Sequence, residues 1–118
     1  MASGLLAITP REVAATAGDD WTHLRVTVWE DGAAKDVSAA TAISAAVKDN
    51  GGNEIIADTA CASGATGASW STGIIALPFL AADTDIAANQ YVLEIQATLS
   101  GKVRTWRTSI VVDESVIS

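Results

Sequence analysis

Cysteine, histidine and methionine each occur once in this chain, and two of these scarcities close routes to function. A lone Cys61 allows no intrachain disulfide and no cysteine-based zinc site. His23, the sole histidine, would have to serve any Ser-His-Asp or Cys-His arrangement, and no G-x-S-x-G elbow accompanies it. Long apolar runs are also missing, and no stretch approaches the roughly 20 residues of a membrane-spanning helix. Residues 1–4 lack the basic and apolar parts of a secretory signal, so the expectation is a soluble chain made in the cytosol. Positive charge is scarce, with 7 Lys and Arg against 14 Asp and Glu and a net charge of −7. That argues against a nucleic-acid surface, which needs clustered Lys and Arg, and against an anionic membrane surface. No P-loop or G-x-G-x-x-G follows a strand pattern, and Gly64 and Gly67 lack the flanking strand and helix that phosphate cradling requires. The acidic clusters Asp19-Asp20 and Asp83-Thr84-Asp85 read as a turn and a cap rather than a calcium loop. No enzyme activity, cofactor or metal is expected.

What is present is alternation. The 118 residues fit one domain, with a core over about 12–112 and flanking arms at 1–10 and 113–118. Hydrophobic residues make up 49%, but many are alanine, so the large apolar side chains suffice for one core only. Short alternating runs separated by Gly, Asp, Asn and Ser clusters point to an all-β sandwich or barrel. Residues 5–8 form a short apolar run ending at Pro10, and 12–16 suit a second short strand. Over 21–30, Leu24, Val26 and Val28 share one face, while His23, Arg25, Thr27 and Trp29 share the other. Residues 41–48 are ambiguous: Ser38, the alanines and Gly51 suit a helix, whereas Ile43, Ala45 and Val47 alternate as a strand, the favoured reading. Asn50 to Asn53 is a turn, residues 70–79 read as a strand, and 80–88 as a helical turn crossing one end of the sheets.

The clearest feature is "NQYVLEIQATLSGKVRTWRTSIVV", residues 89–112. Tyr91, Leu93, Ile95, Ala97 and Leu99 share a face in the first arm, and Trp106, Ile110 and Val112 in the return arm. Inward positions are odd-numbered in one arm and even-numbered in the other, which demands a loop with an even number of residues. A two-residue Ser100-Gly101 turn satisfies this and sets Ile95 opposite Trp106, Tyr91 opposite Ile110, and Glu94 opposite Arg107. A slip of one residue would turn Trp106 outward.

Four tryptophans are heavy use for this length. Trp106 belongs in the core. Trp29 lies opposite the apolar face of its strand, where it would anchor a protein interface, stack on a sugar, or be covered by a neighbouring segment. The residues expected to contact a partner are Leu5, Leu6 and Ile8, which could add a strand to a neighbour, the Trp21, His23 and Trp29 region, and the apolar Val116 and Ile117.

Two segments together resemble a known family. "GDDWTHLRVTVWEDGAAKDVSAATAISAAVKD" is similar to its opening: Gly-Asp, an alternating strand, Asp-Gly, then Asp-Val-Ser and a further strand. "ANQYVLEIQATLSGKVRTWRTSIVV" is similar to its closing hairpin, with a Tyr at the start of the penultimate strand and a Gly-Lys turn into a Thr-rich last strand. The family is the immunoglobulin-like N-terminal domain of siphophage upper baseplate proteins, together with related small stand-alone virion proteins. The likeness spans roughly residues 16–112. Asn89 stands where many members have Gly, and Thr108 or Ser109 replaces a Gly common in the last strand. The resemblance implies an immunoglobulin-like antiparallel β-sandwich of about seven strands, and tips residues 41–48 further toward strand. It implies a non-enzymatic structural protein of a tailed-phage virion, in the tail, baseplate or neck, with other virion proteins as partners and a homo-oligomeric arrangement on the particle. Baseplate members continue into further domains whereas this sequence ends at Ser118, which raises capsid decoration or a head fibre as alternatives. A carbohydrate-binding or adhesion module is the remaining reading.

Overall fold

Residues 89–112 fold into the hairpin that their alternation demands. In the computed structural model, which describes residues 6–62 and 67–114, β8 (Asn89–Leu99) and β9 (Lys102–Asp113) pair antiparallel. Ile95 lies opposite Trp106, Tyr91 opposite Ile110, and Glu94 opposite Arg107. Ser100 and Gly101 take φ of 51° and 78°, the left-handed pair that a type I′ two-residue turn requires. Trp106 is 1% exposed. Its indole N–H donates to the carbonyl of Trp29 at 3.0 Å, on a strand of the facing sheet.

The other strands are β1 (Leu6–Thr9), β2 (Glu12–Thr16), β3 (Arg25–Glu30), β4 (Ala33–Ala34), β5 (Ala42–Lys48), β6 (Glu54–Ala60) and β7 (Ile74–Ala76). Five form one sheet in the order β2-β9-β8-β5-β6; in the smaller sheet β3 pairs with β1, β4 and β7. Val26, Val28, Ile75, Ile43, Val47, Leu93, Ile95 and Ile110 from both sheets meet in one buried cluster. The architecture is therefore the expected all-β sandwich. At the corner leading into the penultimate strand, Tyr91 donates its hydroxyl to the Ala87 carbonyl at 2.6 Å, the geometry of a tyrosine corner.

Nine strands are described against about seven expected, partly because the first edge strand splits between the sheets. β1 pairs with β3; the chain then crosses at Pro10 and Arg11, and β2 runs parallel to β9, against the otherwise antiparallel pattern of the described strands. Thr108 holds the crossover. It faces inward on β9, and its hydroxyl donates to the Arg11 carbonyl at 2.6 Å, with the Pro10 carbonyl at 3.1 Å.

The ambiguous residues 41–48 are strand, with Ile43, Ala45 and Val47 inward as their alternation suggests. Other expectations need correction. Residues 21–24 are a turn closed by the Leu24 N–H on the Trp21 carbonyl at 2.9 Å, so β3 begins only at Arg25. Residues 70–79 are not one strand. A short 3-10 turn (Trp70–Thr72) leads to Gly73 and then to β7. Gly73 sits where β4 and β7 meet end to end along β3. A Cβ there would lie 2.8 Å from the Val28 carbonyl oxygen and 2.9 Å from that of Lys35. Residues 80–88 contain no helix. Asp83 instead closes a turn, with the Leu80 N–H on its carboxylate at 3.2 Å.

Two substitutions test this account. Trp106→Ala should lower unfolding free energy in urea by about 3–5 kcal/mol through cavity formation. Gly73→Ala and Gly101→Ala both place an alanine at positive φ, but only Gly73 meets backbone there. Gly101→Ala should cost about 1–2 kcal/mol and Gly73→Ala measurably more.

Candidate functional site

The contact residues expected from sequence do not come together. Leu5, Val116 and Ile117 lie outside the described residues. Leu6 and Ile8 are in β1, which is already paired along its length with β3 of the same chain, and Ile8 is buried in the core. Over residues 6–9 this strand pairs one edge with β3 and stands at the edge of the smaller sheet. Trp21 is fully buried. Its indole N–H donates to the Thr16 carbonyl at 2.8 Å and its ring meets Phe79 edge-on, with centroids 6.0 Å apart. It plugs one end of the sandwich beside buried Thr84, whose hydroxyl donates to the Asp19 carbonyl at 2.6 Å. His23 is exposed on the turn before β3, not on the strand.

Trp29 is the aromatic contact candidate that remains partly at the surface. The alternation of β3 sends Val26 and Val28 into the core, so Arg25, Thr27 and Trp29 face out. Its strand partners are Ala7 on β1 and Ala34 on β4, both exposed. Two methyl groups cannot cover an indole, and the ring is left half-buried. It is nevertheless held in place. Its N–H donates to the Thr9 hydroxyl at 2.8 Å, a diagonal reach to the neighbouring strand. Its carbonyl is the acceptor for Trp106, so its backbone is tied to the core.

The edge of this platform is charged and internally paired. The Glu30 carboxylate lies 3.2 Å from the Lys35 ammonium and accepts from Arg104 at 2.9 Å. The Lys35 hydrogen bond is the main influence holding Glu30 below the ordinary carboxyl value of 4.5; partial burial opposes it and Arg104 assists. A second paired carboxylate, Glu94, lies on the outer face of the larger sheet and is only 4% exposed. Lys48 donates to it at 3.0 Å, Arg107 at 2.9 Å and the Gln96 amide at 3.3 Å. Burial pushes its pKa up, but the bonds and charges of Lys48 and Arg107 outweigh that, and the net direction is downward.

The reactive groups of the sequence are scattered or occupied. Cys61 is buried, and desolvation, helped by the Asp58 charge, pushes its thiol up to about 12, the opposite of an activated nucleophile. Asp20 accepts from the Thr22 hydroxyl at 2.5 Å and backbone N–H at 2.8 Å, closing a local turn. Among the described residues, no group of three or more His, Cys, Asp or Glu side chains is placed to hold a metal ion. A scan against family models finds no match for this chain, and a search of curated proteins finds none either.

The titrations give a signed expectation. Asp20, Glu30, Asp36, Asp49 and Glu94 all have folded-state pKa values below their ordinary ones. Their stabilisation is complete above the unfolded values of 3.8 and 4.5 and is lost as pH falls through the folded values. Thermal melts should therefore hold level near neutrality and drop below about pH 4, more shallowly for Glu94→Gln. Cys61 works in the other direction: its folded pKa is raised, so stability declines as pH rises above the thiol's ordinary 9.0. At pH 8 a disulfide reagent should label Cys61 only as fast as the chain opens, and rapidly in denaturant; fast labelling of the native chain would contradict its burial.

Proposed function

We propose that this chain is a non-enzymatic structural protein of a tailed-phage virion, a tail, baseplate or neck component that works through protein–protein contacts. The observation that carries the contact reading is Trp29. An indole fixed at both its backbone and its N–H, flanked by two alanines on an open sheet face, offers a large apolar surface that loses little freedom on binding. The immunoglobulin-like sandwich and the resemblance of residues 16–112 to baseplate domains supply the virion assignment. Capsid decoration or a head-fibre role uses the same chemistry at another place on the particle. A homo-oligomeric arrangement there fits a small unit repeated around a symmetric particle.

The test is association with separated particle parts. Isolated chain should co-sediment with purified tails or capsids of the phage that encodes it, and Trp29→Ala should weaken that association by about tenfold or more, as for an interface anchor. Absence of association with either part would remove the virion reading. Association unchanged by Trp29→Ala would remove the role given to this side chain.

The pinned, alanine-flanked ring also favours a second reading, a sugar-stacking platform in an adhesion module. Trp21 and Trp106 are buried, so a fluorescence change on titration with host polysaccharide that disappears in Trp29→Ala would favour it over the structural role.

A further inference from the structure

The outer face of the larger sheet carries a recess of about 260 Å³ between the β5–β6 turn and the paired strands β8 and β9. Lys48, Val92 and Arg107 line one side; Asp49, Asn50 and Gly52 of the turn line the other, with Glu94 at its base. The formal charges of Lys48, Arg107, Asp49 and Glu94 cancel. The hydrogen-bonding capacity does not.

The acceptors are largely used. One Asp49 oxygen accepts the Gly51 and Asn53 N–H groups, each at 2.9 Å, and the other accepts the Asn53 amide at 3.0 Å. One Glu94 oxygen takes Lys48 and Gln96, the other takes Arg107, and the carboxylate is nearly sealed from solvent. The donors are mostly unused. Arg107 spends only its Nε on Glu94, and its terminal nitrogens have no partner among the described residues, although its side chain is 62% exposed. Lys48 gives one bond to Glu94 and has further N–H groups to offer. Glu94 thus acts as a buried bracket that orients two cations while leaving their outer donors free. A recess with surplus donors suits an acceptor-rich ligand, and a guanidinium held at Nε presents its end in the planar fork that matches a carboxylate. The volume falls below the roughly 300–1,000 Å³ of whole-ligand pockets, so it suits one side-chain group better than a whole small molecule.

We propose that this recess is a carboxylate-binding site, in which Arg107 and Lys48 clasp an Asp or Glu side chain presented by an acidic segment of a partner protein. The site is independent of Trp29 and stands whether or not that partner is a virion component.

The test is a titration of the intact ¹⁵N-labelled chain with a capped tetra-glutamate peptide, with sodium acetate and with inorganic phosphate. The backbone amides of Asn50 and Gly52 and the Arg107 Nε–H are observed. The peptide should produce saturable shifts at these positions with a Kd on the order of 1 mM, and acetate should shift the same signals more weakly. Arg107→Lys keeps a cation for Glu94 but removes the fork, so it should weaken peptide binding about tenfold in a chain that remains folded. If that variant fails to fold, Lys48→Gln takes its place with a smaller expected loss of about threefold. Shifts that do not saturate, or affinity unchanged in the folded variant, overturn the site. Phosphate competing as well as or better than the peptide would show selection by charge alone and overturn the carboxylate assignment.

Discussion

A buried indole N–H left without a partner is costly, and Trp106 finds one on the opposite sheet. That bond fixes the position of the β8–β9 hairpin against β3, while the Ser100-Gly101 turn and the inward alternation set β9 against β8. A one-residue slip would bring Trp106 into water and Arg107 into the core, so the register is enforced from both faces. Two further inward polar side chains on the same hairpin extend the hold. Thr108 reaches the Arg11 carbonyl and secures the crossover between sheets. Tyr91 reaches the Ala87 carbonyl and secures the corner that leads into β8. Three side chains on one hairpin thus hold the adjoining corner and two remote segments, each by donating to a backbone carbonyl.

The outer faces inherit their character from this constraint. The register that turns Trp106 inward turns Glu94 and Arg107 outward and opposite each other. Ala46, the β5 partner of Glu94, is too small to crowd the carboxylate, so Lys48 and Arg107 close over it. On the smaller sheet, Trp29 has its carbonyl committed to the interior and its ring committed to the exterior. Its side chain is half-buried and held by its N–H, unlike an uncovered hydrophobe such as Val103 or Leu80.

Sequence alternation revealed what depends on periodicity and parity. The hairpin, its turn and its cross-strand pairs follow from the inward positions of residues 91–112, and residues 42–48 follow from Ile43, Ala45 and Val47. It failed where a distant contact decides. Trp21 follows a Gly-Asp-Asp turn, and nothing local shows that Phe79 will cover it or that Thr16 will accept its N–H. Residues 70–79 carry an apolar run, but Ser71-Thr72-Gly73 precedes Ile74 and marks the interruption; the close approach of Gly73 to β3 and Lys35 explains why the strand cannot begin earlier. The Glu94 recess was missed because it needs Asp49 to wrap the β5–β6 turn, Lys48 beside it and Arg107 from another strand. Only the Glu94–Arg107 pairing was visible in advance.

The two proposed contact features lie on opposite outer faces, Trp29 on the smaller sheet and the Arg107–Lys48 recess on the larger. They also differ in chemistry. One offers apolar area on a fixed ring, and its contribution should persist in salt; the other offers exposed charge-assisted hydrogen bonds, which salt weakens. The side chains of each face rest on the shared core through different strands and share no hydrogen bond, so removing one ring or one guanidinium leaves the other site intact. The sandwich thus carries the two proposed surfaces on separate sheets, each open to its own test.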